Sequence, residues 1–177
     1  MNLNDQKDHH SIYFPLNLII NLCLFLSNNK YKISNFKMFY CEIISGLWVS
    51  DIEMMNQKNF IMDKDITLIL NCTQIIEFPE IEVEKIRLPF PPKDNSENII
   101  ILKKNYKKII DLLHNQLDYH NILISCYDGI SISILIVAIY LLHYSNIHKK
   151  SINEILLKKS SKFLLWCDLD LFIDKVE

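Results

Sequence analysis

The stretch NILISCYDGISISILIVAIY, residues 121–140, divides into three parts. Asn121–Ser125 is a compact, mostly apolar run of strand length. Cys126 opens a short loop that contains Gly129. From Ser131 to Tyr144 the chain is apolar nearly all round, which predicts a buried central helix. A strand–loop–helix unit aims backbone N–H groups and the positive end of a helix dipole into the loop, where an anion can lie. A cysteine at the loop entrance has its thiolate stabilised by the same field and becomes a nucleophile. Gly129 is one of only two glycines in the chain, and glycine allows left-handed backbone angles and close approach to an anion. The competing reading is a buried structural cysteine at a strand end, which is how most free cysteines behave. The loop alone leaves both open.

Composition sets the outer bounds. A length of 177 residues fits one domain with a real core, and half of the residues are hydrophobic. A net charge of −2 gives no reason to expect nucleic acid as a partner. Residue usage is skewed, with 30 Ile and 17 Asn against one Ala and one Arg, as an AT-rich genome would produce. The five cysteines, at 23, 41, 72, 126 and 167, form no C-x-x-C pair and have no histidine at ligand spacing. No metal and no cofactor are expected. An odd number of thiols without a clear secretory signal predicts an intracellular, cytoplasmic protein.

Along the chain, residues 1–38 differ from the rest. The apolar run from Ser11 to Ser27 is broken by Pro15, Asn17 and Asn21 and is short for a membrane span. It has no basic leader and no small-x-small cleavage site. An N-terminal extension that packs poorly is the expectation, with the membrane not a partner and a domain over 39–177. From there strands and helices alternate. Glu42–Ile44 and Leu47–Val49 read as strands around Gly46, and Ser50 with Glu53 reads as a capping box opening one helix to about Phe60. Thr67–Cys72 and Val83–Leu88 are further strands. Ile99, Leu102, Tyr106, Ile109, Ile110, Leu113 and Leu117 fall at helical spacing on one long amphipathic helix. Ser151–Lys159 and a segment around Trp166–Val176 complete the chain as helices. The alternation implies an α/β layer fold.

The chain from about Glu42 to Phe172 resembles a dual-specificity protein phosphatase, of the cysteine-dependent protein tyrosine phosphatase superfamily. IISGLWVSDIEMMNQ looks like that family's opening strand pair and first helix, and DITLILNCT its first central strand. KIRLPFPPKD is similar to the strand leading to its general-acid loop, and ISCYDGISIS stands where the family carries His-Cys-x5-Arg-Ser/Thr. The resemblance implies a three-layer fold with a central, mainly parallel sheet flanked by helices. It also implies that Cys126 matches the phosphoryl-accepting nucleophile, Asp94 the general acid and Ser133 the hydroxyl that helps the thiolate leave. Tyr127, Asp128, Gly129, Ile130, Ser131 and Ile132 match the phosphate-binding loop. A rhodanese-like sulfur transferase also places a cysteine before an anion loop, but the proline-rich segment with Asp94 argues against it.

Two positions depart from the family pattern. Ser125 replaces the histidine before the nucleophile, though a serine hydroxyl can still donate a hydrogen bond. Ile132 replaces the arginine that grips two phosphate oxygens with a planar fork. Losing one preorganised donor costs about 10²–10³ in rate, and a phosphate-stabilising arginine contributes about 10³–10⁵. The only arginine, Arg87, lies on another strand. These readings point to a catalytically impaired pseudophosphatase that binds a phosphorylated or unphosphorylated protein segment. The alternative is a weakly active tyrosine or serine/threonine phosphatase working through a phosphocysteine.

Overall fold

The computed structural model describes residues 38–92, 95–163 and 165–173. The expected extension over 1–38 lies outside the described residues except for Met38. Strand β1 (Tyr40–Ile44) turns through Gly46 into the antiparallel β2 (Leu47–Ser50). Strand β3 (Ile66–Asn71), β4 (Glu84–Arg87) and β5 (Asn121–Ser125) join them in one sheet of order β1-β2-β5-β3-β4. All pairings other than β1 with β2 are parallel. The fold is therefore mixed α/β, with a mainly parallel central sheet flanked by helices.

The apolar runs explain the layering. A central parallel strand is covered on both faces, so it reads as continuous Ile, Leu and Val. Leu47, Val49, Leu68, Leu70, Ile122 and Ile124 face one side, in the main core cluster. Trp48, Ile69 and Leu123 face the other, against Met54, Met55, Phe60 and Ile61. These last four come from two short helices, α1 (Ile52–Met55) and α2 (Lys58–Asp63). The opposite layer holds α3 (Asn95–Gln116), α4 (Ile132–Tyr144) and α5 (Lys149–Lys159). Helix α3 buries Leu102, Tyr106, Ile109, Ile110 and Leu113, the stripe expected from spacing. Helix α4 is buried from Ile132 through Leu141, as its uniform apolarity requires.

Two sequence expectations are corrected. The single helix opened by Ser50 and Glu53 is instead two, and its cap is Asp51. One Asp51 carboxylate oxygen accepts from Met54 N at 2.8 Å and the other from Phe39 N at 2.7 Å. Ser50 still belongs to β2, pairing with Ser125, and its buried hydroxyl has no hydrogen-bond partner among the described residues. Helix α1 ends where the amides of Asn56 and Gln57 reach back to the carbonyls of Ile52 and Glu53. The expected last helix is a four-residue 3-10 turn, Leu169–Phe172, capped by Asp168. Its apolar anchors Leu169 and Phe172 sit three apart, and the Phe172 carbonyl meets His143 Nε2 at 2.8 Å. Residues 174–177 are outside the described set. Among the described residues, no helix is long and apolar enough to cross a membrane. The run from Ser11 to Ser27 lies outside them.

Candidate functional site

Side chains alternate along β5, so Cys126 follows Ile122 and Ile124 onto the face covered by α4. It is 1% exposed. Neighbouring strands hold its backbone on both sides: Cys126 N donates to Ser50 O at 3.1 Å, and Cys72 N to Ser125 O at 2.7 Å. The loop then folds back on the end of β2, where Asp51 and Asp128 form an isolated bridge. Gly129 makes this possible. Its φ is +72°, and a Cβ there would stand 2.6 Å from Asp51 N and 2.7 Å from Ser50 C. Ser125 turns to the opposite face and donates its hydroxyl to Asp51 O at 3.0 Å. It is therefore not a donor to Cys126, which corrects the expected substitute for the family's histidine.

The Cys126 sulfur lies 3.2 Å from Ser133 Oγ and 3.8 Å from Ser131 Oγ. It also donates to Asp128 Oδ1 at 3.3 Å. That same oxygen accepts from Ile130 N and Ser131 N, each at 3.0 Å, and from Ser131 Oγ at 2.8 Å. The loop thus gathers backbone N–H groups at the start of α4, and a carboxylate of its own takes them. Burial is the main reason the Cys126 thiol is raised above its ordinary pKa, and the Asp128 charge adds to it. Hydrogen bonds from Ser133 pull the other way without prevailing. Cys126 is a protonated thiol at neutral pH. Its neighbour Cys72 is pushed up further, first by burial and then by Cys126 itself.

Of the residues singled out in the sequence, Cys126, Asp128, Ser131 and Ser133 come together around one sulfur. Gly129 packs on the end of β2, and Tyr127 and Ile130 complete the loop half-buried. Asp94 lies outside the described residues. Ile132 is 4% exposed and belongs to the main core cluster. Arg87 is engaged elsewhere, donating to Thr73 O at 2.9 Å with its guanidinium 4.9 Å above the Phe78 ring. Sequence reasoning missed Asp51, although an aspartate just before a helix start is a strong cap signal. It also missed that Asp128 would turn inward. An Asp side chain commonly takes the N–H groups two and three residues on, and Asp128-x-x-Ser131 offers both. Among the described residues, no group of three or more His, Cys, Asp or Glu could hold a metal ion.

A thiol at the end of a central parallel strand, a glycine-bent loop and a buried helix starting beneath it form the strand–loop–helix unit read from the sequence. Solved structures agree on the fold. DUSP15 superposes with a TM-score of 0.64 at 18% identity, covering 76% of this chain and 85% of that one. Human DUSP28 gives 0.63 at 12% identity, over 75% and 89%. The human tyrosine phosphatase-like serine/threonine/tyrosine-interacting protein gives 0.62 at 14%, over 73% and 89%. At these identities the likeness is one of fold: a dual-specificity, protein-tyrosine-phosphatase-like fold. No family model matches the chain, and no curated protein matches its sequence.

Proposed function

We propose that this chain is a pseudophosphatase: a dual-specificity-phosphatase fold that binds a protein segment and does not turn over phosphate. The observation that carries this reading is the missing guanidinium. The chain has a single arginine, Arg87, held on the sheet edge by Thr73 and Phe78. The sixth residue after Cys126 is an isoleucine in the core. A phosphoryl group in the loop would meet neither a bidentate clamp nor its charge. The thiol compounds the loss, because a protonated, buried cysteine is a poor nucleophile. One neighbour in fold is, by its name, phosphatase-like and an interacting protein, and a binding role for this chain fits that pattern.

The second reading, a feeble phosphatase, is favoured by Ser133. Its hydroxyl stands 3.2 Å from the sulfur, where it would stabilise the departing thiolate as water cleaves a phosphocysteine. Asp94 would protonate the leaving alkoxide or phenolate in that scheme. The discriminating experiment is turnover of an aryl phosphate by the purified chain beside its Cys126→Ser variant. The binding-module reading predicts equal, background rates. Turnover by the unaltered chain that disappears in Cys126→Ser establishes the enzyme instead. Ile132→Arg should gain some turnover, seen in kcat as well as KM, because the fork tightens on the transition state.

A further inference from the structure

The side chain of Asp128 takes N–H groups at the turn into α4. We propose that this carboxylate is a built-in occupant of the anion cradle, closing it to phosphate, so that the partner is met unphosphorylated. The inference rests on the binding-module reading and deepens it, since that reading leaves open whether the bound segment carries a phosphate.

Three features carry it. First, a single oxygen, Asp128 Oδ1, takes the N–H groups of Ile130 and Ser131 and the Ser131 hydroxyl, all within 3.0 Å. These are the donors that the turn into α4 presents to an anion. Second, the same oxygen accepts from the Cys126 sulfur at 3.3 Å, so the carboxylate also engages the thiol. Third, none of the ion pairs among the described residues involves Asp128. The chain's one guanidinium is tied to Thr73, and the residue in the clamp position is Ile132. A phosphate entering the loop must break three hydrogen bonds and then sit beside a like charge. Like charges a few ångströms apart repel strongly in a partly buried site. Missing arginine and inward aspartate therefore act together: the first removes the attraction for phosphate and the second supplies a substitute for it. Asp128 is half-buried, and the pairing of Asp51 with Asp128 holds its backbone against β2.

The test is titration with inorganic tungstate, a phosphate-like oxyanion, read by calorimetry on the full chain and on Asp128→Ala and Asp128→Asn. The unaltered chain should show no saturable binding. Asp128→Ala should bind tungstate at least about tenfold more tightly, because a repelling charge is removed and the N–H groups are freed. Asp128→Asn keeps an oxygen acceptor for the loop, so it guards against loss of fold in the alanine variant. It should bind more tightly than the unaltered chain and less tightly than Asp128→Ala. If the unaltered chain binds tungstate as tightly as both variants, Asp128 is no occupant and the proposal is overturned, while the pseudophosphatase reading stands. If folded Asp128→Ala and Asp128→Asn both fail to bind, the loop is not an oxyanion cradle. That result overturns this proposal, while the pseudophosphatase reading, which rests on the missing clamp, stands.

Discussion

Gly129 and Gly46 are the only glycines in the chain, and both sit at positive φ, yet they differ in what surrounds them. At Gly46 the nearest atom to an added Cβ is the Asn121 side-chain oxygen at 3.0 Å, which can shift. At Gly129 it is backbone of Ser50 and Asp51 at 2.6–2.7 Å, which cannot shift without disturbing β2. Left-handed strain costs a non-glycine residue about 1–3 kcal/mol at either site, and the clash adds to it only at Gly129. Gly129→Ala should lower stability in urea by clearly more than Gly46→Ala; equal losses would show that the loop does not depend on its contact with Ser50 and Asp51. The importance of Gly129 was legible in the sequence from its scarcity and its place after Cys126. The direction of the Asp128 side chain was not, because it depends on a local competition for N–H groups that residue order alone does not decide.

At the scale of elements, long patterned segments declared themselves and short ones did not. The apolar stripe of α3 and the apolar face of α4 each carry many concordant positions. In the region after β2 the capping box was placed on Ser50, one residue before the actual cap Asp51, and the sheet explains the shift. Ser50 completes the pairing of β2 with β5, which leaves Asp51 at the helix start with both carboxylate oxygens used. Asp51→Ala removes a cap, at about 0.5–2 kcal/mol, and strands the Phe39 N–H, at about 1–3 kcal/mol. The combined loss should be about 1.5–5 kcal/mol in chemical denaturation. Ser50→Ala removes a buried hydroxyl that has no partner among the described residues and should be close to neutral. The reverse order of the two losses would return the cap to Ser50. The final 3-10 turn eluded the sequence for a similar reason: two apolar anchors three residues apart fit a helix and a single tight turn equally well.

At the scale of the whole molecule, a titration signature follows from the thiols among the described residues, which are buried or half-buried. Burial raises the pKa of Cys41, Cys72 and Cys126 and takes that of Cys167 to about 11. Tyr140 is raised as well, by burial and then by Asp118. A raised pKa means that the folded chain holds its proton more tightly than the unfolded chain. The associated stability is complete below the unfolded value, about 8.5 for a thiol, and is lost as pH climbs through the folded values. The urea midpoint should therefore fall between about pH 8.5 and about pH 11, and a flat or rising midpoint would show that these thiols ionise freely in the native state. Sheet order and the two-sided core express a fold that alternating strands and helices already announced. The hydrogen bonds of Asp128 within the loop depend on a few side chains whose placement only the assembled molecule reveals. The central claim, that the Cys126 loop accepts no phosphoryl group, has one direct test. The unaltered chain is incubated with an aryl phosphate, quenched in acid and weighed by mass spectrometry. The account predicts unmodified protein at every time, because the thiol is protonated, unclamped and faced by Asp128. A gain of one phosphoryl mass located on Cys126 and absent from Cys126→Ser would contradict it.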